Sequence, residues 1–228
     1  MMSFWSRVVD SLRHLTQSDR EKPDILEQLR NADRQVAFTI ALISLGAKMA
    51  KADGTVTIDE IRAFKAVFPF RPDDEKKVAK VFNHAKETVA GFEHYAADIA
   101  KHYQHDKRVR DDVMEGLFQI ASMGGGITPE ERDFLCRVNE IFGLSERRLN
   151  QRLHRFGVGE AANPYTVLGV SPSDSIGIIR KRWKQLIRES HPDILIARGA
   201  PPEAARLAQE RVADYNQAFD TIKKMHGS

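Results

Sequence analysis

The tripeptide His191-Pro192-Asp193 places an imidazole and a carboxylate on either side of a proline, between two helical stretches. Proline fixes its own φ angle and pushes the residue before it out of the helical region, so His191 must end the preceding helix. The pattern predicts a stiff corner that holds both side chains outward, where another protein can contact them. The alternative is an ordinary helix stop made of turn-forming residues.

The helix predicted before this corner, residues 178–190, carries basic side chains that are adjacent or spaced by four: Arg180, Lys181, Lys184 and Arg188. Like charges four residues apart repel each other by a few tenths of a kcal/mol per pair. Glu189 is the only acidic residue in this run. The stripe therefore favours an anionic surface on a partner, and a merely solvated helix face is the alternative.

Flanking patterns predict the elements that position this corner. Residues 164–170 predict a short helix closed by Gly169, followed by a long helix capped by Ser171 or Ser173. Residues 194–202 predict a loop, and residues 203–225 predict a last helix. One face of the last helix is apolar and can pack antiparallel on the apolar stripe of the basic helix, Ile179, Trp183 and Leu186. The result is a helical hairpin with the corner at its tip.

Helical periodicity also dominates the N-terminal part, and strand signals are nearly absent, so the predicted fold class is all-α. The apolar run at residues 36–50 is short for a membrane span and predicts a buried core helix. Two stretches repeat 71 residues apart, each with a glycine turn and a new helix start. Thr57 with Glu60, and Thr128 with Glu131, fit capping boxes, and Pro129 suits the first helical position. Ser145 is the predicted cap of a further helix.

Metal and catalytic patterns are weak. Asp53-Gly54 fits part of a calcium loop, but Met49 and Lys51 would occupy ligand positions and cannot supply oxygen ligands. Three histidines lie close in sequence, but no third ligand accompanies the pair at 102 and 105, so exposed or partly packed histidines are favoured: His94, His102 and His105. The glycines at 124–126 lack the context of a phosphate loop. We therefore expect no metal, no cofactor and no enzyme.

Composition sets the remaining bounds. The chain has 228 residues, a formal net charge of +3 and a single cysteine, which rules out an internal disulfide and fits a reducing compartment. Residues 4–15 predict an amphipathic helix too often interrupted by charges to be a signal or a span. The sequence leaves open whether this helix packs on the protein, joins two copies or lies on a membrane surface. We expect a cytoplasmic protein, with peripheral membrane contact left open.

The C-terminal pattern resembles the J-domain of DnaJ-type co-chaperones. The resemblance covers residues 163 to about 225 and rests on an opening Tyr-x-x-Leu-Gly, a basic helix, the His-Pro-Asp signature and an Ala-Phe pair in the last helix: Tyr165, Leu168, Gly169, Ile179, Arg180, Lys181, Lys184, His191, Pro192, Asp193, Ala218 and Phe219. Trp183 replaces the usual tyrosine, and Arg182 stands at a usually small position. Residues 32–155 resemble the TerB-like (tellurite-resistance) helical domain through the two repeats. This domain order is similar to that of the DjlA-type co-chaperones, whose N-terminal membrane anchor has no counterpart here.

The resemblance implies an N-terminal helix and connector at 1–24, a TerB-like unit at 25–157, a linker at 158–162 and a J-domain at 163–228. It also implies that the basic helix docks on a DnaK-type chaperone and that the His-Pro-Asp corner triggers the partner's ATP hydrolysis. The N-terminal unit would bind an unidentified client or form a homodimer. The alternative is a nucleic-acid-binding module that uses the same basic stripe, which we do not expect because few aromatic residues accompany it.

Overall fold

The computed structural model describes residues 8, 34–52, 91–122, 126–157 and 163–226, and every α-helix in these ranges can be placed in chain order. They are α1 (Arg34–Ala52), α2 (Phe92–His102), α3 (Lys107–Ser122), α4 (Pro129–Ile141), α5 (Glu146–Arg155), α6 (Pro164–Leu168), α7 (Ile176–Glu189), α8 (Pro192–Ala197) and α9 (Ala205–His226), with a 3-10 turn at Pro202–Ala204. The described residues form no strand, and the protein is all-α, as predicted.

Several predicted features lie outside the described residues. They are the N-terminal helix apart from Val8, the repeat at residues 53–60, the glycines at 124 and 125, and the linker at 158–162. Val8 itself is helical and fully buried in the first core.

Helix α1 is the centre of the first core. Its residues from Val36 to Met49 are buried on every side, as expected for a helix that is apolar all round. Helices α2, α3 and α4 contact it. Helix α3 comes close to α1 at Gly116, where an added Cβ atom would lie 2.6 Å from a methyl group of Leu42. The predicted core helix is confirmed. No helix in the described ranges has both the length and the apolar composition that crossing a bilayer requires.

The helix starts in this unit follow the predicted capping chemistry. The Thr128 backbone N–H donates to the Glu131 carboxylate at 2.9 Å, and the Glu131 backbone N–H donates to the Thr128 hydroxyl at 3.2 Å. Pro129 occupies the first turn of α4, and Ser145 accepts a hydrogen bond from the Arg148 backbone N–H. The second capping box and the Ser145 cap are confirmed, and together they fix where α4 and α5 begin.

Helices α6, α7 and α9 form a second core. The Trp183 ring stacks on Phe219 with ring centroids 4.5 Å apart, and its Nε1–H donates to the Asn216 side-chain oxygen at 3.0 Å. Ile179 and Ile222 are fully buried beside this pair. Gly169 ends α6 with φ at +65°, the left-handed conformation expected from its position.

Two local predictions are wrong. Ser175 occupies the N-cap position of α7 without a side-chain capping bond, whereas Ser171 and Ser173 hydrogen-bond to each other in the preceding turn and Asp174 accepts from the Ser171 backbone N–H. Residues 194–202 are not simply a loop: α8 begins at Pro192 and the 3-10 turn follows. Proline is well suited to a first helical position, so the residue that ends α7 also begins the next helix.

Helix α9 belongs to both cores. Leu207 and Ala208, in its first half, are buried in the first core together with Leu195 and Ala200, whereas Phe219 and Ile222 are buried in the second. The apolar face of the last helix was expected to pack on the basic helix along its length. Only its second half does so, and its first half packs on the N-terminal unit.

Buried ion pairs also join the two parts. Asp111, Asp112 and Glu115 of α3 are at most 6% exposed and pair with arginines from α5 and from the C-terminal part. The arginine partners in α5 are Arg148, Arg152 and Arg155, and those in the C-terminal part are Arg198 and Arg211. Asp214 of α9 closes the network by pairing with Arg155 at 3.0 Å. The network fixes the hairpin against the first unit.

Candidate functional site

The His-Pro-Asp corner is an exposed helix start. His191 is the N-cap of α8 with an extended backbone, and Pro192 occupies the first helical position. The Asp193 backbone N–H donates to Nδ1 of His191 at 3.2 Å. The side chains of His191 and Asp193 are 57% and 85% exposed. The corner thus presents an imidazole and a carboxylate on a backbone that proline and the capping bond hold in place.

The capping bond determines how the imidazole is presented. A ring nitrogen that accepts a hydrogen bond carries no proton, so the neutral His191 ring keeps its proton on Nε2. Nδ1 also lies 3.5 Å from the Asp193 carboxylate, so the two side chains stand next to each other. With an uncharged imidazole, the corner therefore presents a ring N–H donor on His191 and a carboxylate acceptor on Asp193. These two groups can contact complementary groups of a second protein.

The predicted basic residues lie on exposed surface of α7: Arg180, Lys181, Lys184 and Arg188 are all exposed. Among the residues that the structure describes, none of these four forms an ion pair with an acidic side chain. The buried residues of the same helix are Ile179 and Leu186. One helix thus contacts the second core through its apolar residues and presents its positive charge outward, next to the corner.

Arg198 is a residue of this site that sequence patterns did not indicate. Its Nη1 pairs with the buried carboxylate of Asp112 at 3.2 Å, and its Nη2 donates to the Glu189 carbonyl oxygen at 3.2 Å. Glu189 is the last residue of α7, two positions before His191. Arg198 thus ties the base of the corner to α3. No local pattern could have revealed this contact, because Asp112 lies 86 residues earlier in the chain.

Arg182 is the exception in the basic run. It is only partly exposed, and its Nε is buried without a hydrogen-bond partner among the described residues. Burial lowers the pKa of Arg182, Glu189 opposes this shift, and the neighbouring arginines Arg147 and Arg148 add to it. Arg182 is therefore a poor candidate for the outward basic surface, and its surroundings are those of an interior cavity.

The other singled-out side chains do not come together with the corner. His94 lies 3.5 Å from Asp98, its neighbour one turn along α2, and the His102 ring contacts Tyr103 edge-on. Cys136 is partly buried against the first core, and burial raises the pKa of its thiol. In the described ranges, no three His, Cys, Asp or Glu side chains are grouped as metal ligands would be.

Comparisons with known proteins place this arrangement in context. Residues 39–153 match the family model "Tellurite resistance protein TerB". The co-chaperone protein DjlA of Photobacterium profundum is 28% identical over 221 residues, which cover 86% of this chain and 80% of that protein. The co-chaperone protein DjlA of Vibrio parahaemolyticus is 25% identical over 254 residues, covering 96% and 88%. That of Escherichia coli is 30% identical over 140 residues, covering 50% and 51%. No solved structure matches the chain.

Proposed function

We propose that this chain, which belongs to the TerB family and is similar over most of its length to co-chaperone proteins DjlA, docks on a DnaK-type chaperone and stimulates its ATP hydrolysis. The observation that carries the proposal is the exposed corner of His191, Pro192 and Asp193 beside an outward basic face. The chain would supply no catalytic group of its own, and the chaperone would bind and hydrolyse the nucleotide.

The basic face would bring the partners together. Complementary charges on two proteins accelerate their association. Added salt weakens this attraction, because exposed charges are screened over about 8 Å at physiological ionic strength. Arg180, Lys181, Lys184 and Arg188 would therefore set the concentration at which the chaperone responds. The outward position of these four side chains on α7 supports this role.

The corner would act after docking. His191 and Pro192 are fixed by the capping bond and by the proline ring, so the imidazole donor of the corner is already oriented before the partner arrives. A preorganised contact avoids the cost of ordering flexible side chains on binding. We infer that His191 and Asp193 contribute to the stimulated hydrolysis step more than to affinity.

The first test is the steady-state ATPase rate of a DnaK-type chaperone with and without this protein. His191→Gln should leave the fold intact and abolish the stimulation, because the side chain is exposed and outside both cores. His105→Gln is the matched control, since His105 is also exposed but lies in the turn after α2. Full stimulation by His191→Gln would refute the proposal.

A second test separates docking from triggering. The double variant Arg180→Glu, Lys184→Glu should raise the concentration for half-maximal stimulation at least tenfold and flatten its dependence on salt. Lys223→Glu, an exposed charge reversal on α9, is the control and should change both little. If the double variant bound the chaperone as the wild type does, the basic face would have no part in docking.

The TerB unit, which we delimit as residues 25–157, would supply targeting: a client protein, a second copy or a membrane surface. Sedimentation of the full chain tests for a homodimer, and flotation with vesicles of anionic lipid tests for membrane contact. We do not expect nucleic acid as a partner. Binding of DNA that is lost on Lys184→Ala but retained on His191→Gln would instead favour the nucleic-acid module.

A further inference from the structure

A cavity of about 120 Å³ lies between the N-terminal unit and the C-terminal hairpin. Helices α3 and α5 form one wall, and α7, Ser190, Arg198 and α9 form the other. A water molecule in the liquid occupies about 30 Å³. The cavity therefore has room for a few waters or for one small polyatomic ion, and it is too small for a peptide.

The lining of this cavity is strongly positive. Seven arginines line it, against three carboxylates. Two more carboxylates, Asp112 and Asp214, pair with lining arginines from outside the cavity. Even with these counted, the arginines around the cavity outnumber the carboxylates by two among the described residues. Arg108 and Arg148 are exposed, so water solvates them, but Arg182 is only partly exposed and its Nε is buried without a hydrogen-bond partner in the described ranges. A partly buried cation of this kind is costly, and it favours an anion that is not part of the chain.

Individual donor atoms are also left over. Arg152 uses Nη2 for Asp111 at 2.6 Å and Nε for Glu115 at 3.2 Å, and its Nη1 is buried without a hydrogen-bond partner. Arg211 pairs with Asp112 through Nη1, and its Nη2 is likewise buried and unpartnered. Both side chains are less than 10% exposed. Together with Nε of Arg182, these atoms give three guanidinium donors from three helices around one cavity.

We propose that this cavity binds a phosphate group, either inorganic phosphate or a small phosphomonoester. The planar guanidinium is the protein group best matched to phosphate oxygens, because it presents several N–H donors in a fixed fork. A phosphate dianion would balance the two surplus charges and accept hydrogen bonds from the leftover donors. The bound group would bridge α3 and α5 to α7 and α9, and so fasten the hairpin to the first unit.

The proposal explains Arg182, which the basic face of α7 does not use. Glu189 attracts the Arg182 guanidinium, but burial and the like charges of Arg147 and Arg148 act against it and lower its pKa. A bound dianion would turn this repulsion into a shared attraction. Arg182→Gln should therefore raise the melting temperature slightly without phosphate, while weakening phosphate binding at least tenfold.

The test is thermal unfolding and titration calorimetry of the full chain in a phosphate-free buffer. Sodium phosphate and glycerol phosphate are the two ligand arms, and sodium chloride at matched ionic strength is the reference. A site-specific ligand at a hundredfold excess over its Kd should raise the melting temperature by about 5 to 10 °C. Binding of phosphate alone, or of the ester as well, identifies the source and supports the site. No rise beyond that in chloride overturns the proposal.

Two variants locate the binding. Gln151→Glu places a carboxylate on the cavity wall, where the Gln151 amide nitrogen is buried and unpartnered. It should raise the melting temperature without phosphate and abolish the response to phosphate. Arg132→Gln removes an exposed charge from α4 and should respond as the wild type does. If Arg182→Gln fails to fold, Gln151→Glu decides the question, and an undiminished phosphate response in that variant places the ligand elsewhere and refutes the site.

Discussion

Replacing Arg198 with glutamine should loosen the His-Pro-Asp corner without touching it. Arg198 is 15% exposed, and it connects the carboxylate of Asp112 to the last carbonyl group of α7. Asp112 is 1% exposed, and burial raises its pKa although Arg211 and Arg198 both counteract the shift. Glutamine removes the charge and cannot span both partners, so Asp112 keeps only the 3.2 Å pair with Arg211 among the described residues.

The expected cost follows from these contacts. Removing one partner of a buried ion pair costs about 3 to 5 kcal/mol when the other charge is left unpaired. Asp112 retains Arg211, so we expect the lower end, about 3 kcal/mol. Single domains have unfolding free energies of about 5 to 15 kcal/mol, and the variant should therefore stay folded. With an m value of about 3 kcal/mol per molar urea, the midpoint should fall by about 1 M.

Urea unfolding followed by tryptophan fluorescence and circular dichroism measures this cost, with Arg206→Gln as the control. Arg206 pairs with Glu210 one turn along α9 in an exposed position, and such a pair contributes about 0.3 to 0.5 kcal/mol. Arg198→Lys, which can still pair with Asp112, should fall between wild type and Arg198→Gln. Equal midpoints for Arg198→Gln and Arg206→Gln would refute the reasoning.

The same variant has a functional readout that rests on the proposed co-chaperone role. A corner released from α3 must be ordered when the partner binds, and fixing one residue costs about 1 to 2 kcal/mol. The concentration for half-maximal ATPase stimulation should rise about fivefold or more, with the maximal rate retained because the His-Pro-Asp residues are intact. Loss of the maximal rate at unchanged half-maximal concentration would contradict a positioning role for Arg198.

Three further predictions concern the first unit. Burial of Asp111 is outweighed by its arginine partners, Arg152 foremost, which lower its pKa to about 2. The ionised carboxylate therefore stabilises the fold above about pH 4, and this contribution is lost as the pH falls from 4 through 2. In urea titrations, Asp111→Asn should be less stable than wild type by roughly 2 kcal/mol at pH 6 and about equally stable near pH 2. Gly116→Ala should lower the melting temperature despite alanine's better helix propensity, because overpacking against Leu42 costs about 1 to 3 kcal/mol, and a Leu42→Ala background should remove that penalty in a double-mutant cycle. Thr128→Ala should cost about 1 kcal/mol in urea unfolding and Thr128→Ser much less, since serine keeps the capping hydroxyl.

The sequence was most informative where a contact is local. The buried run of α1, the capping box at Thr128, the Ser145 cap and the left-handed Gly169 each depend on residues within one or two turns, and each was predicted correctly. The exposed corner also follows from local chemistry, since a proline after His191 dictates the backbone there. These features lie within the reach of periodicity and capping rules.

The errors also have local causes. Serines at 171, 173 and 175 suit a helix start equally well by residue type, but in the fold the first two are engaged in the side-chain bonds of the preceding turn. Residues 194–197 are too few to show a helical period, so their pattern predicts a loop where the structure has a proline-initiated helix. The cavity and the Arg198 bridge could not be predicted, because their residues come from α3, α5, α7 and α9 and meet only in the folded chain.

The interface between the two units is better suited to fixing one arrangement than to maximising stability. Apolar residues of similar volume often stabilise a buried interface as well as an ion-pair network does, and a network imposes stricter geometry because each misplaced charge is costly. Here α9 already contributes Leu207 and Ala208 to the first core, so apolar burial alone could hold the hairpin in several slightly shifted positions. The pairs of Arg198 and Arg211 with Asp112 have stricter geometry, and we infer that they favour one of these positions. Since Arg198 also holds the end of α7, the selected position is the one that determines where the His-Pro-Asp corner stands relative to the TerB unit.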